Sequence, residues 1–161
     1  MKEEEYTEEI INLLERWKEE SVELKVIHER LSNTNYKKHI IYGSIALIIP
    51  IILTFTSQVV LDQDLNRYIS GSGFLVVGVT NAMLSFLNFK SKSLSHEFAS
   101  LSHNTIIDSI DSNFSRQDKY KIPADVMIAQ TKNEIKNLKL YGPRIANTCL
   151  SDICFNIVVK K

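Results

Sequence analysis

Two uncharged segments of matching length constrain this chain more than anything else in it. From Ile40 to Leu61 there are 22 consecutive residues without Asp, Glu, Lys or Arg, and from Tyr68 to Phe89 another 22. Six residues separate them, of which Asp62, Asp64 and Arg67 are charged. At about 1.5 Å per residue, some 20 apolar residues in a helix match a hydrocarbon core about 30 Å thick. The pattern predicts two antiparallel spans, about 40–61 and 68–89, joined by a tight turn. The net charge of zero and the 44% hydrophobic content hide this, because Glu and Lys are concentrated in the flanks. The first apolar run begins at Ile40, so it does not have the position of a cleaved signal peptide. The expected class is an all-α integral membrane protein: a transmembrane hairpin (39–90), an N-terminal amphipathic helix (1–38), C-terminal helices (91–141) and a tail (142–161).

Cationic residues near span ends predict sidedness. Lys25, Arg30, Lys37 and Lys38 precede the first span and Lys90 and Lys92 follow the second, against Arg67 alone in the loop. Both termini are expected on one side of the membrane, in the cytosol. Cys149 and Cys154 would then be reduced thiols, and the Asn113-Phe114-Ser115 sequon would be unglycosylated. Tyr36, Lys37, Lys38, Tyr68, Lys90 and Lys92 are the expected interface anchors, with aromatic rings and snorkelling cations at headgroup depth.

Both spans carry small and polar residues at helical spacing. In lipid, helix association relies on close approach at such residues and on hydrogen bonds, because apolar side chains prefer neither lipid nor helix. Gly43, Ala46, Pro50, Thr54 and Ser57 share a face of the first span. Gly71, Gly78 and Ser85 recur every seven residues in the second, with Ala82, Asn81 and Asn88 beside them. These faces are expected to form the hairpin seam, a seam between hairpins in a homo-oligomer, or a pore lining. Pro50 cannot donate to the Ala46 carbonyl and predicts a kink. Neither span contains an ionisable residue, which argues against a proton relay or charged ion path.

In the N-terminal helix Ile10, Leu13, Trp17, Leu24, Ile27 and Leu31 fall on a heptad seam interrupted by Glu20, predicting coiled-coil or bundle contacts and marking these residues as the expected oligomerisation surface. Ser32–Asn35 reads as a polar break. A third helix, about 90–114, has a divided apolar stripe: Leu94, Phe98 and Leu101 on one face, Ile106, Ile107, Ile110 and Phe114 nearly opposite. A bend or change of partner near His103–Asn104 would reconcile them. Pro123 suits the start of a fourth helix, Ala124 to Leu140, and Gly142-Pro143 its end, with Gly as a left-handed cap. The apolar run Ile153–Val159 could be a strand, a docking tail or an interfacial segment.

No phosphate loop, nucleophile elbow or HExxH motif is present. Cys149 and Cys154 are too few for zinc, and His96 and His103, two turns apart, read as hydrogen-bonding residues rather than metal ligands. Acidic and basic residues interleave throughout, so no nucleic-acid stripe stands out. The sequence points to a protein that is not an enzyme, without cofactor or metal.

Several features together resemble the SLATT-type two-span proteins. They are a leading helix with Trp17, the Tyr36-Lys37-Lys38 run, and the Ile49-Pro50-Ile51-Ile52-Leu53-Thr54 core. With them go Asn81, the exit Phe86-Leu87-Asn88-Phe89, His96 and the close Tyr141-Gly142-Pro143-Arg144-Ile145. The likeness covers about residues 10–146. It implies a membrane effector that forms pores beside nucleotide-sensing defence proteins. The Ile-, Asn- and Lys-rich character is closer to the branch found in large DNA viruses, which implies a structural role at a virion's inner membrane, with a shell protein as partner. The residues themselves favour a membrane-anchored assembly protein over a pore.

Overall fold

A computed structural model describes residues 6–59, 63–117 and 120–145. Cys149, Cys154 and the run Ile153–Val159 lie outside the described residues, as does Asp62. Every regular element among the described residues is helical: α1 (Glu8–Val59), α2 (Gln63–Leu87), α3 (Phe89–Phe114) and α4 (Ala124–Tyr141). They divide into two compact units, one of residues up to Ser32 with those from Leu94 onward, the other Asn33–Ser93.

The first unit is a three-helix bundle built by α1, α3 and α4. Thr7 caps α1, its hydroxyl accepting from the Ile10 amide at 3.4 Å, and Glu8 and Glu9 sit at the positive end of the helix dipole. The core comprises Leu14, Ile106, Ile110 and Met127, all essentially inaccessible. Around it pack Tyr6, Ile10, Trp17, Phe114, Ile122, Ile135 and Leu138. Each buried side chain of this size contributes roughly 1.5–3 kcal/mol. The most buried positions of α1 are Leu14, Ser21 and His28, seven apart. The seam is thus centred one residue beyond the expected Leu13, Glu20 and Ile27. Leu13, Leu24, Ile27 and Leu31 are half-buried beside it, while Ile10 and Trp17 pack on the chain's own core. The heptad therefore serves a bundle within the chain, and Glu20 no longer interrupts it.

A single side chain closes one end of this bundle. Asn113, 1% exposed, donates through Nδ2 to the Tyr6 hydroxyl at 2.5 Å and accepts from the Ile122 amide at 2.8 Å. The Tyr6 hydroxyl donates to the Ile122 carbonyl at 2.7 Å. Lys18 pairs with Asp111, and Lys139 with Glu20 at 3.2 Å. Pro123 is the N-cap of α4, its carbonyl accepting from Met127. Gly142 ends it in extended rather than left-handed conformation (φ −70°, ψ 160°). Glycine is needed there because a Cβ would stand 2.3 Å from the Leu138 carbonyl oxygen, which accepts from the Gly142 amide.

The second unit contains the later part of α1 with α2 and the start of α3. One sequence expectation fails here: α1 runs unbroken through Ser32–Asn35, because polar side chains do not by themselves terminate a helix that packing on either side supports. Pro50 lies inside the same helix. Thr54 bonds back to the Pro50 carbonyl at 2.8 Å. The chain passes from α2 to α3 at one residue, Asn88, with φ 45°. Asparagine tolerates this left-handed conformation better than other side chains do. Asn88 accordingly marks a helix junction, not part of a packing stripe.

Candidate functional site

Within the second unit α1 and α2 are both long and apolar enough to cross a bilayer, and only 6% of each most apolar 18-residue window is buried. Their mutual contact is narrow. On α2 the less exposed positions are Asn66, Ile69, Ser70, Gly73, Val77, Thr80, Leu84 and Leu87, a stripe along one side of the helix. Gly73 sets the approach: a Cβ there would lie 2.5 and 2.6 Å from the Leu53 methyls. Thr80 is the buried polar residue of this seam, its hydroxyl satisfied by the Val76 carbonyl at 2.8 Å.

The stripe expected at the seam stands elsewhere. Gly71, Gly78, Asn81, Ala82, Ser85 and Asn88 are all exposed. A Cβ on Gly43, Gly71 or Gly78 would meet nothing within 4 Å. At about 100° per residue, Gly71 and Gly78 lie nearly opposite Gly73 and Thr80. On α1, Gly43, Ala46 and Pro50 are half-buried, Thr54 is exposed, and the Ser57 side chain lies outside the described residues. The small residues of α2 thus do not form the seam of this hairpin but mark a separate outward face, whereas Gly43, Ala46 and Pro50 lie on the less exposed side of α1 with Leu53. Of the expected anchors, Lys38 lies 5.9 Å over the Phe89 ring, which stacks on Tyr42 at 5.6 Å. Tyr36, Lys37, Tyr68, Lys90 and Lys92 are exposed.

A different cluster occupies the bundle unit. The buried stripe of α3 in this unit runs His96, Ala99, Ser100, His103, Ile106, Ile110, Asn113 without interruption. α3 needs no bend: Leu94, Phe98 and Leu101 are exposed, and the inward positions of its first half are small or polar. His28 of α1 meets this stripe. Its Nδ1 is 2.9 Å from His96 Nδ1. Its ring lies 5.2 Å from that of His96 and stacks on that of His103 at 5.8 Å, with 17° between the planes. The three residues are 4–7% exposed. Burial, then the neighbouring His96 and His103, pushes His28 down to about 4. Burial also lowers His96. His103 is lowered by burial, with Glu20 opposing and Lys139 adding to the shift. His103 Nδ1 is buried without a hydrogen-bond partner. A cavity of about 280 Å³ lies alongside, lined in part by Glu20, His28, His103, Lys139 and Arg144.

Among the described residues no three His, Cys, Asp or Glu are placed to hold a metal ion. Sequence reading singled out His96 and His103 but not His28. The signal was available in the seven-residue spacing Leu14, Ser21, His28, masked by the more apolar neighbours Leu13 and Ile27. Comparisons with protein families, characterised proteins and solved structures return no match.

Proposed function

We propose that this chain is a non-enzymatic two-span membrane protein whose hairpin anchors a helical bundle for assembly with other proteins. The observation that carries this reading is the exposure of large apolar side chains along α1 and α2. Ile41, Leu47, Phe55, Phe74, Leu75 and Phe86 are all at least 57% exposed. Soluble monomers rarely expose contiguous apolar patches beyond a few hundred Å², and hydrocarbon is the solvent that such a surface fits. The bundle is the part able to offer partners a polar surface, a shell or membrane-associated protein being the kind that the resemblance to viral two-span proteins implies. Lys and Arg counts place both termini in the cytosol on this reading. The test is alkaline carbonate extraction with protease protection of the intact chain. Retention in the membrane pellet with both termini cleaved from one side supports the reading; release into the supernatant overturns it.

A second reading is an oligomeric pore of the SLATT type. It is favoured by the polar stripe of Gly71, Gly78, Asn81 and Ser85 on the exposed face of an otherwise apolar helix. A carboxamide in hydrocarbon gains roughly 0.6–2 kcal/mol from an interhelical partner. Ion flux from liposomes carrying the protein, abolished by Gly71→Leu or Gly78→Leu, would replace the anchor by the pore. An unchanged oligomeric state on Asn81→Leu would remove the stripe from consideration as a contact.

A further inference from the structure

Buried histidines are ordinarily isolated and hydrogen-bonded to carboxylate or backbone; here three from two helices share one stack. The short His28–His96 contact limits how many protons they can hold. With both rings neutral, one Nδ1–H donates to the other Nδ1. One extra proton can enter at an outer nitrogen of the pair and leave that bond intact, strengthened by charge. A second places two N–H groups head-on at 2.9 Å, where neither can accept. The third ring offers no relief. His103 stacks against His28, and a proton added at its Nδ1 would find no acceptor.

The groups facing the triad do not compensate. From α1, Glu20 faces His103, but Lys139 of α4 pairs with it at 3.2 Å. Lys25 of α1 donates to Asn104 of α3 at 2.6 Å. Arg144, just beyond α4, lines the adjacent cavity and adds positive charge.

We propose that the His28–His96–His103 stack is a proton-binding site that fastens α1 to α3 while at most one proton is shared, and releases them when a second enters. The cavity beside His28 and His103 gives water a route to the rings. The site senses acidification because imidazole is the side chain whose ordinary titration lies nearest neutrality. The inference concerns the bundle and does not depend on the hairpin lying in a membrane.

The test uses the full chain in mild detergent, with thermal unfolding followed by circular dichroism at pH 7.5 and pH 5.0 in the presence of EDTA. The midpoint is expected to fall by about 10 °C on acidification. The double variant His28→Leu/His96→Leu removes both partners without orphaning either, and its fall should be less than half as large. An equal fall in the double variant, or none in the wild type, overturns the proposal. Should the double variant not fold, NMR titration of the wild-type imidazoles decides. Two of the three rings protonating together at pH 6 or above, with the α1–α3 contacts intact, would refute it.

Discussion

Gly73 is where a single methyl group tests how the hairpin is held. In Gly73→Ala the new Cβ would stand 2.5, 2.6 and 3.0 Å from Leu53 Cδ1, Cδ2 and Cγ. Leu53 is only 8% exposed, so its isobutyl group cannot swing freely aside. Overpacking of this kind costs about 1–3 kcal/mol, and the gain in helix propensity returns up to about 1 kcal/mol. The net expectation is a loss of about 1–2 kcal/mol. Gly71→Ala and Gly78→Ala meet open space, so the propensity gain alone remains and they should be neutral or stabilising. Leu53→Ala alone loses packing; combined with Gly73→Ala it removes the clash, so the double variant should be more stable than the two losses summed by about 1 kcal/mol or more. The assay is reversible unfolding of the full chain in detergent for the wild type and all five variants. A Gly73→Ala loss no larger than that of Gly71→Ala, or zero coupling with Leu53→Ala, would refute the seam.

The remaining expectations concern the bundle and the helix junction. For His28, an unfolded value of 6.5 and a folded value of about 4 mean that the folded state binds the proton less readily. Stability is then complete above about pH 6.5 and is lost as the pH falls towards 4, by about 2 kcal/mol at pH 5 from this residue alone; urea titrations at several pH values measure it. Asn113→Leu leaves the Tyr6 hydroxyl and Ile122 amide without their buried partner and should cost about 2–4 kcal/mol, read from the shift in midpoint at constant m-value. Asn88→Gly should be neutral or slightly stabilising at φ 45°, whereas Asn88→Val should cost about 1–2 kcal/mol in the same assay.

The hairpin was legible because its signal is a length: two runs of 22 residues without charge have few alternatives. The bundle was half legible. A heptad in α1 announces a contact but not its partner, and periods of 3.5 and 3.6 do not separate Leu13 from Leu14 over a few turns. α3 misled because its apolar residues Leu94, Phe98 and Leu101 face outward while serine, alanine and histidine fill the inside. Hydrophobicity patterning assigns such a helix to the wrong face, since it has no means of recognising small residues that admit a close neighbour or imidazoles that bond to each other.

The misplaced seam of α2 has the same origin, and it bears on function. A row of small residues permits close approach without specifying to what, and α2 has two such rows. The row through Gly73 and Thr80 is used inside the chain, against Leu53. The row through Gly71, Gly78 and Ser85, with Asn81 beside it, is left on the exposed side. Helix geometry fixes the two as nearly opposite, so one substitution cannot perturb both. Changes at Gly73 should act on the hairpin's own stability, and changes at Gly71, Gly78 or Asn81 on whatever the outer face meets. That separation allows the anchor and pore readings to be tested without unfolding the protein that carries them.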